Sequence, residues 1–557
     1  MAKIGLLVLT KPTKLARILP VIKQHVNKTL YVQLYPGRQR LINSTPSGEN
    51  ALNGPHHGSA VIGIYSQATA ICQNLDIRVL LAGLKDPFLS KIHTRKQIEV
   101  VIFDRIFNKD EVDYFLNSCL LNATQKCQIV TLNGTEDSVS DNLDILHPSH
   151  GSSVVCRMAE SLSIDRMLTN KDCKMHKNVV LGGTFDRLHA GHKILLSEAV
   201  LHCTRKLTVG ITDTSMLKCK THNCYWAKLL WEMIEPCAVR MCSVEDFLQD
   251  VDPGLQYDIV PIYDPFGPTK EDPDMQLIVV STETYKGGLK VNELRHENNL
   301  PALDIHTVNL LEAIPEHTDE EEEEKISSSN RRMRLLGTRL RVPEARTLLP
   351  RKPYIIGLTG NIASGKSSVG QRLENLGAGL LNCDTLAHSV YMRGQPCYDA
   401  VVQHFGKEIL GDDGEINRKA LGTVVFNSKE QLEKLNAMVW PVLLNRAKEK
   451  IQVLFEAGYQ IVVMEAAILL QAGWDQHVHE VWACIIPPEE AVKRLQERNH
   501  LTESDARARI ATLPSNTELV AKAHVVVSTY WSTTYTQKQV EKAWRALQFY
   551  LTDSSKL

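Results

Sequence analysis

Residues Gly360-Asn361-Ile362-Ala363-Ser364-Gly365-Lys366-Ser367 fill every fixed position of the pattern GxxxxGK[ST]. No other stretch limits the fold so tightly. Its glycines permit a tight loop whose N–H groups wrap phosphate oxygens, Lys366 can reach the outer phosphates, and Ser367 can ligate magnesium. The apolar run Tyr354–Leu358 precedes the loop, and helical spacing over Lys366–Leu376 follows it. Strand, loop and helix in that order is the context a phosphate cradle needs, and it argues against a chance glycine-rich turn. Further apolar runs at Gly379–Cys383, Ile461–Met464 and Val525–Val527, with a long helical stretch at Lys429–Phe455, predict an α/β domain over residues 353–557.

A second phosphate signature lies upstream: Gly182-Gly183-Thr184-Phe185-Asp186-Arg187-Leu188-His189-Ala190-Gly191-His192. His189 and His192 are three residues apart at the start of a predicted helix, Gly191–Thr204, and so share one face. Gly191 lets a ligand approach the helix N-terminus, where free N–H groups favour anions. Two histidines at this spacing also occur by chance in core helices. The context here is richer: the strand Val179–Leu181 leads directly into the glycines. The segment Ile326-Ser327-Ser328-Ser329-Asn330-Arg331-Arg332 offers another anion site. Predicted strands at Leu207–Ile211, Asp258–Tyr263 and Gln276–Val280 complete a Rossmann-like domain over 177–336, with ligands expected at the strand ends.

Several side chains near the phosphate loop have two readings. Asp384, ending the strand Gly379–Cys383, can accept a proton from a substrate hydroxyl or cap the helix that follows. Glu465, ending Ile461–Met464, can orient magnesium or be an ordinary strand-end carboxylate. Arg494 and Arg498 share a helical face before the charged stretch Asn499–Arg509; they suit a phosphate-closing lid or a solvated surface.

The 557 residues leave room for a third domain. Apolar runs at Ile4–Leu9, Leu30–Leu34, Val79–Leu84, Ile98–Phe103 and Cys127–Leu132 predict an N-terminal α/β domain over 1–172, with polar loops at Asn43–Ala60 and Gly134–Ser153. No catalytic motif lies between Met1 and Cys173. The basic segment Lys11–Lys23 carries Leu15, Ile18, Leu19 and Ile22, a stripe that either packs on its own domain or touches a membrane surface; Pro20 interrupts it. No run approaches the ~20 apolar residues of a spanning helix. A net charge of -1 argues against nucleic-acid binding. Thirteen cysteines without a CxxC or CxxH pair indicate neither a zinc site nor a disulfide framework, and fit reduced thiols. The acidic run Asp319–Glu324 reads as a solvated loop, and 337–352, with Arg339, Arg341, Pro343 and Pro350, as a linker.

The upstream residues resemble the nucleotidyltransferases marked by (T/H)xGH and ISSTxxR, and within them phosphopantetheine adenylyltransferase. The resemblance implies that Thr184 orients the reacting phosphate, that His192 and Arg332 contact the triphosphate, and that Gly183, His189, Ser328 and Ser329 help bind the nucleotide. It implies too that Lys218 and Arg295 hold the phosphate of phosphopantetheine. From Ile355 to about Tyr550 the chain resembles dephospho-CoA kinase, through Gly357-Leu358-Thr359-Gly360, Cys383-Asp384, His404-Phe405-Gly406, Asn417-Arg418-Lys419-Ala420-Leu421 and Trp440-Pro441. That family usually has an acidic residue at Asn382, and often glycine at Ala363, where alanine should be tolerated if the backbone needs no positive φ. The two in this order resemble the bifunctional coenzyme A synthases of animals. Implied are ATP as substrate of both steps, Mg2+, 4′-phosphopantetheine and dephospho-CoA as small-molecule partners, and a cytoplasmic or mitochondrion-associated protein. A CoA-binding scaffold that has lost one activity is the rival reading.

Overall fold

Two of the three sheets repeat one strand order. The computed structural model describes residues 1–34, 58–72, 74–85, 91–132, 174–217, 228–309, 327–344, 346, 349–426 and 428–553. They fall into two compact units, Met1–Asn330 and Arg331–Leu557. In the first unit β1 (Ala2–Leu9), β2 (Val26–Leu34), β3 (Asp76–Val79), β4 (Ile98–Phe103) and β5 (Ala123–Thr131) form a wholly parallel sheet ordered β3-β2-β1-β4-β5. The second sheet comprises β6 (His176–Gly183), β7 (Cys203–Thr212), β8 (Gln256–Ile262), β9 (Leu277–Ser281) and β10 (Asp304–Val308). Its order, β8-β7-β6-β9-β10, is the same, again parallel throughout. The first strand of each sheet is central, and the order reverses beside it, where open α/β sheets form a ligand crevice.

The helix α1 (Leu15–His25) continues through Pro20 and buries Leu15, Leu19 and Ile22 completely, so the apolar stripe of the basic segment faces its own core. The expected strand Val79–Leu84 stops at Val79, because Ala82–Lys85 turns into a short helix around Gly83; Leu81 and Leu84 are buried from that turn. Helix α2 (Gly58–Ile71) begins within the stretch read as the loop Asn43–Ala60, and the rest of that loop, with Gly134–Ser153, lies outside the described residues.

Across the first unit one hydrophobic core is continuous. Leu81, Val100 and Ile102 belong to it together with Ile194 and Leu196 of α3 (Ala190–His202) and Val244 and Phe247 of α4 (Cys237–Val251). Buried ion pairs cross the same boundary. Asp250 is wholly buried on α4; its Oδ2 accepts from Tyr31 Oη (2.8 Å) and Arg78 Nη1 (2.5 Å), and its Oδ1 from the Arg95 N–H (2.7 Å). Lys193 on α3 donates to Asp76 Oδ1 (2.5 Å) and to the Ile77 carbonyl (2.8 Å). Lys85 pairs with Asp252 at 2.8 Å. The N-terminal sheet is thus fastened to the second sheet by both apolar packing and charge.

The second unit holds β11 (Tyr354–Gly360), β12 (Gly379–Asn382), β13 (Ile461–Glu465), β14 (Glu480–Ile485) and β15 (Val525–Ser528), parallel in the order β12-β13-β11-β14-β15. Residues read as a linker are packed here. The Leu340 N–H donates to the His524 carbonyl (2.7 Å), Arg339 bridges to Val525 in antiparallel fashion, and its guanidinium pairs with fully buried Glu480. No helix among the described residues is long and apolar enough to cross a membrane. No disulfide is present among them, and the described cysteines are free.

Candidate active sites

Glycine geometry shapes the phosphate loop between β11 and α5 (Lys366–Asn375). Gly365 has φ +77°, and a Cβ there would lie 2.6 Å from Thr529 Oγ1, so both conformation and space require glycine. Ala363 also has positive φ, +62°. The condition for its easy tolerance is not met: alanine in the left-handed region costs roughly 1–2 kcal/mol. Packing of its methyl beside Val492 and Leu495 offsets part of that strain.

Asp384, Glu465 and Lys366 converge at the loop. Register pairs Leu358 and Asn382 with Glu465, which sets the carboxylate between two strand ends. Lys366 Nζ donates to Asp384 Oδ2 at 2.5 Å and to Glu465 Oε1 at 3.1 Å. Burial alone would lower the lysine's pKa; the two carboxylates outweigh it and hold the ammonium above the ordinary lysine value. Ser367 Oγ donates to Glu465 Oε1 at 2.6 Å, and the Ala467 N–H to Asp384 Oδ1 at 3.1 Å. Asp384 lies within the first turn of α6 (Cys383–Ser389), but the cap is Asn382, whose Oδ1 accepts from the Thr385 N–H at 2.9 Å. Asn382 Nδ2 donates at 3.1 Å to Glu465 Oε2. Burial pushes the neighbouring thiols of Cys383 and Cys484 up to about 12, so neither is a nucleophile at neutral pH.

Because Asn382 both caps α6 and satisfies Glu465, Asn382→Ala should destabilise the second unit by about 2 kcal/mol, about 1 from the cap and the remainder from an unpaired buried oxygen. Asn382→Asp keeps the cap but sets carboxylate against carboxylate. Urea unfolding checks this; no loss with alanine would remove both roles.

Arg494 and Arg498 separate in their settings. On α7 (Pro488–Asn499), Arg494 donates to Glu490, to the Ala363 carbonyl (3.2 Å), and to both Oγ1 and O of Thr529, which pins the loop to the end of β15. Arg498 is exposed and lines an open cleft of about 1100 Å³ with residues 360–368, Asp384 and Ala467. Asp505 and Arg509, on α8 (Glu503–Ala511), line the same cleft and were not singled out from the sequence. Asn361 fastens the loop's start through Nδ2 to the Pro514 carbonyl (2.7 Å).

In the other site, Phe185 and Arg187 adopt left-handed φ of +49° and +48°, which turns the chain sharply after β6. A Cβ on Gly183 would lie 2.9 Å from the Phe185 ring. His189 is the N-cap of α3, and its ring stacks on His192 with centroids 3.8 Å apart. Thr184 Oγ1 accepts from Thr212 Oγ1 at 3.1 Å and from the Lys228 ammonium. Fully buried Arg240 donates to the carbonyls of Thr184, Thr212 and Glu235. Lys228 and Arg240 escaped the sequence reading, since neither belongs to a local motif. Ser328 Oγ donates to the Asp186 carbonyl (3.1 Å) and lies 3.4 Å from His189 Nε2. The serine segment is therefore beside the histidines. Ser329 and fully buried Arg332 follow on α9 (Ser328–Leu335), one turn apart.

Arg295 stands apart from this group. It is fully buried on α10 (Tyr285–Glu297) and donates to the carbonyls of Pro301 (2.7 Å), Thr269 (2.6 Å) and Asp272 (2.9 Å). Those bonds hold Nε and Nη1 on the main chain and brace the turn after β8, while Nη2 has no partner among the described residues. Lys218, Ile326 and the acidic run Asp319–Glu324 lie outside the described residues.

Fold and sites together define a chain that joins a phosphate-loop kinase domain to a nucleotidyltransferase-type domain. The family model for dephospho-CoA kinase matches residues 354–533, and that for cytidylyltransferase-like domains matches residues 180–334. The chain belongs to the dephospho-CoA kinase family. It is 38% identical over 186 residues to a dephospho-CoA kinase of Carboxydothermus hydrogenoformans, covering 33% of this chain and 90% of that one. A dephospho-CoA kinase of Geobacter sulfurreducens is 36% identical over 190 residues, covering 34% of this chain and 96% of the relative. Among solved structures, a dephospho-CoA kinase from Campylobacter jejuni is 24% identical and covers 35% of this chain and 96% of its own, with a TM-score of 0.28.

Proposed function

We propose that this chain performs two consecutive steps: adenylylation of 4′-phosphopantetheine to dephospho-CoA, then phosphorylation of the ribose 3′-hydroxyl to give CoA. The observation that carries this reading is the pairing, in one chain, of the stacked His189–His192 turn with the Lys366–Asp384–Glu465 cluster at a phosphate loop.

In the first step a phosphate oxygen of phosphopantetheine attacks the α-phosphorus of ATP, the α–β bond breaks, and pyrophosphate leaves. The attacking group is already anionic, so no strong base is needed. Thr184, supported by Lys228 and Thr212, orients the phosphate, and the two imidazoles with the α3 N-terminus stabilise the charge that builds up. In the second step Asp384 takes the proton of the 3′-hydroxyl as its oxygen attacks the γ-phosphorus, and ADP leaves. The Ala467 N–H and Lys366 fix the orientation of that carboxylate, while Arg498 and Arg509 at the cleft are placed to follow the transferred phosphate. Ser367 Oγ and Glu465 offer hard oxygen donors 2.6 Å apart, a fit for magnesium, which when bound would neutralise charge on the β- and γ-phosphates.

Incubation of the chain with 4′-phosphopantetheine, ATP and Mg2+, followed by mass analysis, should show dephospho-CoA rising first and CoA after it. Turnover of dephospho-CoA with no formation of it from 4′-phosphopantetheine would sink the first half of the reading.

A further inference from the structure

Glu198 and His202 stand four residues apart on α3, so their side chains leave one face near the helix's C-terminal end. His306 reaches them from β10, an edge strand of the second sheet. One donor atom of each lies within 4.8 Å of the other two. His202 is ten residues beyond His192, roughly 15 Å along the helix, so this cluster is distinct from the stacked histidines. Neither step proposed above uses it.

The atoms are arranged as a ligand set. His202 Nδ1 lies 2.8 Å from the Glu198 carbonyl oxygen, a bond that places the proton on Nδ1 and makes Nε2 the basic nitrogen. Metal-binding histidines are commonly oriented in this way. Glu198 is buried, yet its Oε1 has no hydrogen-bond partner among the described residues. Its Oε2 lies 3.3 Å from His306 Nε2. That contact accounts for one carboxylate oxygen, and the other has no donor among the described residues, an arrangement that a cation would relieve. Tetrahedral zinc, with bonds of about 2.0–2.1 Å, holds adjacent donors roughly 3.4 Å apart. The Glu198–His306 separation is at that value, and the remaining donor pairs lie within 4.8 Å. The His306 side chain is 32% exposed, which gives an ion a path of entry.

We propose that Glu198, His202 and His306 form a binding site for a borderline divalent transition-metal cation, with Zn2+ the best match. Two imidazoles and one carboxylate suit zinc, cobalt or nickel, and argue against magnesium or calcium, which take oxygen donors. The bound ion would tie the end of α3 to β10, away from the phosphate-handling end of the same helix.

Cobalt is the spectroscopic probe for this site. The full chain is stripped with a chelator, dialysed and titrated with Co2+, then with Zn2+. One equivalent should produce the visible bands of four-coordinate cobalt, and zinc should displace it. Glu198→Gln and His306→Gln should each weaken binding by more than the roughly 10–100-fold that loss of an outer-shell partner costs. His192→Ala should leave that equivalent in place. Absent bands, or bands that survive Glu198→Gln with His306→Gln, would overturn the proposal. Should the double variant lose its far-UV circular dichroism, the single His306→Gln, at a partly exposed edge position, decides instead.

Discussion

Lys366→Ala should stop phosphorylation of dephospho-CoA, by about 10²–10³-fold or more, while dephospho-CoA continues to form and accumulates. The loss has two parts. The variant removes the cation proposed to reach the transferred phosphate, and it leaves Asp384 and Glu465, both bonded to that ammonium, without their common partner. Like charges at that distance repel each other and the triphosphate alike. His192→Ala should do the reverse, abolishing dephospho-CoA formation and sparing phosphorylation of supplied dephospho-CoA. Separate assays of the two half-reactions, with circular dichroism of each variant, check the pair. Loss of both activities by either substitution in a folded chain would mean that the two sites do not work independently.

Asp250→Ala carries the largest expected cost to stability. Its carboxylate is fully buried and holds Tyr31, Arg78 and the Arg95 N–H at once. Removing it leaves Arg78 short of one of its carboxylates in a buried setting, and about 3–5 kcal/mol should be lost from the first unit. Chemical denaturation measures this, and adenylyl transfer should fail at temperatures where phosphorylation persists. A loss below about 1 kcal/mol would mean that apolar packing alone holds the two sheets. Acid should weaken the same network. Burial pushes the Asp76 pKa up, but Lys193 and Arg78 outweigh it and hold the carboxyl below its usual 3.8. Its contribution to stability is therefore present above about pH 4 and disappears as pH falls through that depressed value.

Residues joined by short sequence spacing were legible; residues joined only by the fold were not. The loop Gly360–Ser367 and the turn Gly182–His192 announce themselves because one backbone segment supplies most of each phosphate cradle. Lys228 and Arg240 reach Thr184 from positions with no local signature, so periodicity cannot find them. Arg295, which the family resemblance assigned to a phosphate, is buried with Nε and Nη1 on three main-chain carbonyls, contacts that no sequence spacing announces. Most central strands were visible as apolar runs. The strand Asp304–Val308 was missed because an edge strand with Asp304 and His306 lacks such a run. Glu480–Ile485 opens on a charged residue that is buried only because Arg339, Tyr354 and Trp482 satisfy it. Asp384 kept two readings until the structure gave the cap to Asn382.

The core shared by the first two sheets has a consequence for how such a chain can be assembled or taken apart. The kinase portion alone accounts for 90% and 96% of the length of two bacterial relatives, so it also exists as a separate chain. The two sheets before it lack that modularity. A gene fragment starting near residue 174 would encode the histidine-bearing sheet with Phe247, Ile194 and Asp250 stripped of their cover. A cut between the two sheets would therefore open one continuous core and strand the buried Asp250 without Tyr31 and Arg78.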